Sequence, residues 1–248
     1  MYKLGCLYSL PDFRNYKYAK IKPIPLSEQL PDSVDLRPVC SPIKDQDGVG
    51  SCLAFSLTGI MEFNDKKPDG QFTSLSELFL YYIIRDMMGT TDYDSGGYIT
   101  YGLKCLAQRG VCTEEEYPYD NAIYRYKEMP TGRLLLSGLK HKIDTYWELD
   151  TQNDMLTCLA DGYAFICGVS VYDSFVSDEI RRTGVIPMPG PNEKLRGGHA
   201  IMICGYDTNT QRFIFRNSWG TIWGMDGYGT ISFEYVSSMG WNFWTVRK

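Results

Sequence analysis

The hydrophobic period of this chain changes once, near its middle, and that change limits the folds open to it. Before about residue 125 the apolar residues recur at helical spacing; after it they gather into short strand-like runs. Residues 52–64 carry Leu53, Phe55, Leu57, Ile60, Met61 and Phe63, apolar on most sides, which predicts a buried central helix closed by a turn at Lys66–Gly70. Ser74-x-x-Glu77 reads as a capping box opening a second helix that runs to about Met88. A loop spans Gly89–Gly97. Ile99–Gln108 reads as a third helix with Gly110 as its stop, and Thr113-x-x-Glu116 as the cap of one more turn before Pro118. A short helix is expected at Asp150–Leu159. Strands are expected at Ala164–Tyr172, Ala200–Tyr206, Arg212–Asn217, Tyr228–Phe233 and Phe243–Val246. Helices first and strands last define an α+β protein of two lobes.

Residues 1–33 stand apart. They hold Pro11, Pro23, Pro25 and Pro31 and a basic-aromatic patch from Arg14 to Lys22, with no helical period. They read as an extended arm draped over a body. The 248 residues suffice for a sizeable core, and 44% hydrophobic with 22% charged residues is the balance of a soluble globular protein. A net charge of −5 without any basic run argues against nucleic acid or an anionic membrane as partner. No apolar run approaches the ~18 residues of a membrane span. The first residues lack the apolar region and cleavage site of a signal peptide, and no Asn-x-Ser/Thr sequon occurs. The eight cysteines include no Cys-x-x-Cys pair, so neither a metal nor another cofactor is expected. Several sit in apolar runs, as reduced core thiols do, and Cys105 and Cys112 read as two separate thiols. We therefore expect a reducing, cytoplasmic or virus-associated setting.

Chemistry concentrates in Gln46–Ser56. Cys52 sits where a Gly-rich turn meets the central helix, and a thiol at a helix N-terminus is expected to have a lowered pKa. A lone cysteine is ordinarily an inert core thiol. Gln46, six residues upstream, changes that by offering a neutral hydrogen-bond donor for a developing oxyanion. Of the two histidines, His141 lies between lysines and reads as surface. His199 opens an apolar strand behind Gly197 and Gly198, which leave the backbone bare for close approach. Asn217, leaving a neighbouring strand beside Trp219, can accept a hydrogen bond from that imidazole and fix its tautomer.

With these residues in order, the chain resembles the papain-like cysteine peptidases. The matching blocks are Val34–Arg37 with Ile43–Gln46 and Gly50–Ser56; Leu75–Leu80; Ser95–Tyr98 with Thr113–Tyr119; and Gly198–Ile201 with Arg216–Tyr228. The resemblance implies a two-lobed fold over residues 34–248. A helical lobe would span about 34–125 and an antiparallel β-barrel-like lobe about 126–248, with the active site in the cleft between them. It implies hydrolysis of peptide bonds in a polypeptide substrate, as an endopeptidase, through an acyl-enzyme on Cys52. His199 would act as general acid and base, Asn217 would orient it, Trp219 would shield that bond, and Gln46 would donate to the oxyanion. Gly50, Gly96 and Gly97 would border the extended substrate. Tyr98, Ile99, Gly197 and Gly198 would line a roomy, mainly apolar specificity pocket. Another acyl transfer on the same fold, or a catalytically silent peptide-binding homologue, is the alternative. Three departures stand out. Val49 and Asp94 occupy positions where secreted members carry disulfide cysteines, Leu53 replaces a tryptophan, and residues 1–33 are too short for the family's helical propeptide, though they could cover the cleft.

Overall fold

The computed structural model describes all residues except 1–2, 11, 13, 22–29, 66–69 and 121. Pro11, Pro23, Pro25, Lys22 and most of the turn expected at Lys66–Gly70 lie outside the described residues. In chain order the elements are β1 (Cys6–Leu7), α1 (Tyr18–Ile21), β2 (Ser33–Asp35), α2 (Cys52–Asn64), α3 (Glu77–Met88), β3 (Gly97–Tyr98), α4 (Ile99–Gln108), α5 (Ala122–Arg125) and α6 (Gly132–Gly138). There follow β4 (Thr145–Glu148), α7 (Gln152–Ala160), β5 (Phe165–Tyr172), α8 (Asp178–Thr183), β6 (Val185–Ile186), β7 (Leu195–Asp207), β8 (Arg212–Arg216), β9 (Tyr228–Ser232), α9 (Phe233–Met239) and β10 (Gly240–Arg247). The architecture is α+β.

One large sheet runs in the order β4-β10-β5-β7-β8-β9-β6, with β2 added along β7. Its pairings are antiparallel except β6 with β9. A second, two-stranded sheet joins β1 to β3 in parallel. Strand β7 explains how the parts are joined. Its residues alternate between two cores: Ala200, Met202 and Cys204 belong to the core built on α2, α3 and α4, while Ile201 and Ile203 belong to the core on the far side of the sheet. A strand buried on both faces reads as a continuous apolar run, and Ala200–Cys204 does. Helix α2 lies against the near face, where Gly59 lets Met202 and Arg216 approach. Arg216 then spans to the preceding loop, donating to the carbonyls of Ser41 and Pro42.

The second helix begins differently from expectation. Its N-cap is Ser76, whose hydroxyl accepts from Phe79 N at 3.1 Å; Ser74 does not cap it. Glu77 instead turns inward, where its carboxylate meets Lys44 Nζ at 2.7 Å and Thr58 Oγ1 at 2.8 Å. A buried acid needs such partners, and this demand outweighs a capping box. The helix expected at Asp150–Leu159 starts later, because Thr151 caps it and Asp154 closes a reciprocal box with Thr151. Residues 1–33 include the short α1, absent from the sequence reading. Tyr18 is buried and donates to Asp161 at 2.7 Å, and Lys17 pairs with Glu148 at 2.6 Å.

Candidate active site

Cys52 is the first residue of α2, so its position follows from where the helix starts. His199 lies on β7 beside Ala200, whose N–H points to the Cys52 thiol at 3.5 Å. Strand pairing thereby sets the distance between two residues far apart in the chain. The next strand, β8, ends at Arg216 and delivers Asn217. His199 Nε2 and Asn217 Oδ1 are 2.8 Å apart. An amide oxygen only accepts, so the imidazole proton is on Nε2 and Nδ1 carries the lone pair. Asn217 Oδ1 also accepts from Ser218 N at 2.9 Å, which holds the amide in this orientation. Trp219 stacks on the imidazole, with ring centroids 4.6 Å apart and an interplanar angle of 28°. Both rings are buried.

Gln46 joins the same group from the other side. Its Oε1 accepts from Ser218 Oγ at 2.6 Å, which turns Nε2 outward to the carbonyls of Val49 (2.8 Å) and Lys3 (2.9 Å). The Gln46 carbonyl accepts from Tyr119 Oη at 3.0 Å, and the Tyr119 and Ser51 hydroxyls are 2.6 Å apart. Ser218, Ser51 and Tyr119 were not singled out by the sequence. All three lie inside blocks that carry the resemblance, but no local pattern there points to these contacts.

The chain's own N-terminal segment crosses the cleft. Lys3 O meets Gln46, Gly97 N donates to Gly5 O at 2.8 Å, and Cys6 and Leu7 pair with Gly97 and Tyr98. The approach is closest at Gly5, where a Cβ would lie 1.8 Å from Gly50 O. Glycine is therefore required there by space alone. Toward residue 3 the segment borders a cavity of about 840 Å³ lined by Trp219, Ile222, Trp223 and Arg181 among others; toward residue 7 it borders one of about 340 Å³ lined by Met88, Tyr98 and Tyr101.

This covering reverses the expected electrostatics of the thiol. Burial pushes Cys52 up to about 11, against the pull of the amides of Ala200, Gly5 and Leu53. Burial likewise brings His199 down to about 4, opposed by its bond to Asn217. The lowered thiol pKa expected from the helix N-terminus is thus overturned, because loss of water outweighs the dipole. Both groups are neutral in this covered state.

The glycine-walled pocket also differs from expectation. Gly197 lies against Leu4, and a Cβ on Gly198 would lie 2.1 Å from Cys6 O and 3.0 Å from the Trp241 ring. The two bare glycines therefore face the N-terminal segment and a tryptophan, and the roomy space is filled. Ile99 is wholly buried in the helical core. Gly96 lies under Gly5, and Gly50 donates its N–H to Asp94 at 3.0 Å. Asp94 also accepts from Tyr81 Oη, so polar contacts stand where a disulfide was expected to be missing. None of the eight cysteines is in a disulfide. Among the described residues no group of three or more His, Cys, Asp or Glu could hold a metal ion, and no helix is long and apolar enough to cross a membrane.

Architecture and site together fit a thiol-dependent peptidase. A family model described as papain family cysteine protease matches residues 30–241. The chain belongs to that family, whose class is the cysteine-type peptidases. It is 31% identical over 214 residues to an uncharacterized peptidase C1-like protein of Acanthamoeba polyphaga mimivirus, covering 82% of this chain and 69% of that protein. It is 31% identical over 207 residues to cathepsin K of Gallus gallus, covering 82% of this chain and 59% of that one. Among solved structures it resembles xylellain, a cysteine protease from Xylella fastidiosa, with a TM-score of 0.87 and 32% identity over 99% of this chain and 96% of that one.

Proposed function

We propose that the protein is a cysteine endopeptidase that works through an acyl-enzyme on Cys52, and that its N-terminal segment holds it latent. The observation that carries this reading is the His199–Asn217 bond at 2.8 Å, which leaves Nδ1 as the basic nitrogen next to the strand that touches Cys52. In the proposed cycle Nδ1 takes the thiol proton and the thiolate attacks the substrate carbonyl carbon. The oxyanion forms on Gln46 Nε2 and the Cys52 N–H, and its collapse expels the amine, which leaves with the proton from His199. The same imidazole then activates water to release the acid. Asn217 keeps the ring aligned throughout, and Trp219 keeps water from that bond.

Cavities on both sides of Cys52 support an endopeptidase, since a cleft open at both ends takes the interior of a chain. Occupation of Gln46 Nε2 by Lys3 O, and of Gly97 by Gly5, supports a latent state in which the segment must leave before substrate enters. Eight cysteines without a disulfide support work in a reducing compartment. The test is turnover of a diverse peptide library by wild type and by Cys52→Ala, with an epoxide thiol label to report Cys52. Turnover that survives in Cys52→Ala, or a chain that neither cleaves nor takes the label even as Gly5→Val, whose added Cβ cannot fit against Gly50 O and clears the segment from the cleft, refutes the reading.

A further inference from the structure

Asp94 presents a nearly buried carboxylate, with 5% of its side chain exposed, at the wall of the cleft. Two neighbours fix it: Gly50 N, at 3.0 Å and 3.2 Å from its two oxygens, and the Tyr81 hydroxyl. Its cationic partner is Lys3, whose Nζ is 2.6 Å from Oδ2. The carbonyl of that same Lys3 lies 2.9 Å from Gln46 Nε2, the donor assigned above to the oxyanion. One residue thus has its carbonyl on the oxyanion donor and its ammonium on Asp94.

From this coincidence we propose that Asp94 makes the enzyme select lysine or arginine as the residue contributing the scissile carbonyl. The proposal rests on the peptidase reading and deepens it by naming the substrate class. When the N-terminal segment leaves, Asp94 keeps the Gly50 and Tyr81 hydrogen bonds and the more distant charge of Arg85, which lies over the Tyr81 ring, but loses the cation in direct contact with it. A substrate seated in the cleft excludes water from this carboxylate as the segment does, so a cationic side chain there stabilises it and a neutral one leaves it without a cation in contact. Because Gly50 and Tyr81 already hold the carboxylate, no rearrangement is needed to receive an ammonium or guanidinium group. Lys3 occupies the position that a basic substrate residue would take.

The experiment compares kcat/KM of the full chain carrying Gly5→Val, which clears the segment from the cleft, with position 94 either wild type or Asp94→Asn, on two peptides that differ only in arginine or norleucine before the scissile bond. Binding of the matching arginine and norleucine peptide aldehydes, which add reversibly to a thiol, is measured by calorimetry alongside. The chain retaining Asp94 is expected to favour arginine by about tenfold or more in both readouts. The preference falls to near unity in Asp94→Asn and returns in part in Asp94→Glu. An equal decline on both peptides in Asp94→Asn, with the preference intact, overturns the proposal and leaves Asp94 only as a tether for Gly50. A chain retaining Asp94 that cleaves both peptides equally overturns it as well, without touching the peptidase reading. If Cys52 engages neither substrate nor aldehyde, the peptidase reading fails and the selectivity falls with it.

Discussion

His199 is a base held neutral by its surroundings, and that has a thermodynamic signature. Its imidazole titrates near 4 in the covered fold against an ordinary 6.5. Between those values the unfolded chain binds more protons, so this residue's contribution to stability rises with pH across the window, by about 3 kcal/mol in all. Glu77 acts with the opposite sign: burial raises it from 4.5 to about 7, so its contribution falls as pH rises between them. The two windows overlap, and the useful quantity is the difference between wild type and His199→Gln in urea unfolding. Relative to the variant, wild type should lose about 3 kcal/mol between pH 6.5 and pH 4; a constant difference contradicts a neutral buried imidazole. At the same scale, Gln46→Ala should lower kcat by about 10²–10³-fold with a smaller change in KM, as expected for a donor to a charge that develops only in the transition state. A change confined to KM would place Gln46 in ground-state binding.

Elements show which local signals prevailed. Ser76 caps α3 and also donates to Tyr117 O at 2.5 Å, tying the helix start to the loop that follows α4. Ser76→Ala should cost about 1–2 kcal/mol in denaturant unfolding, whereas Ser74→Ala should cost much less; the reverse order would reinstate Ser74 as the cap. The extents of α2 and α4, and the end of α3, were readable because their apolar residues keep helical spacing and turn residues bound them. The long β5 and β7 were readable as β-branched apolar runs. The short β1, β3 and β6 were not. A two-residue strand has no period, and each is defined only by its partner. The same holds for α1, whose four residues are held by Tyr18 and Lys17 rather than by propensity.

For the whole molecule the N-terminal segment is the organising feature, and it has two attachments of different character. Residues 3–7 lie in the cleft, while Lys17 and Tyr18 are anchored on Glu148, Asp150 and Asp161. Gly5→Val should expel only the first, because its added Cβ cannot fit against Gly50 O. Peptide turnover should then rise, and alkylation of Cys52 by a neutral reagent should become faster and begin at lower pH, since re-entry of water lowers the thiol from about 11. Unchanged alkylation in Gly5→Val means the segment does not guard the thiol. Removal of residues 1–8 should likewise activate. Removal of residues 1–30 should also reduce thermal stability, because Tyr18 leaves the second core.

Local order in the sequence was enough to read the α+β class and the main helices and strands, and to single out Gln46, Cys52, His199 and Asn217 as candidates. Helical and strand periods follow from backbone geometry within a few residues, and these four side chains lie in short recognisable blocks. The charge state of the thiol, the filling of the glycine-walled pocket by Trp241 and Cys6, and the pairing of Lys3 with Asp94 came only from the tertiary structure. Desolvation and ion pairing sum over everything packed around a group. For Cys52 those neighbours come from β7 and from the first residues of the chain, at sequence distances over which no local pattern extends.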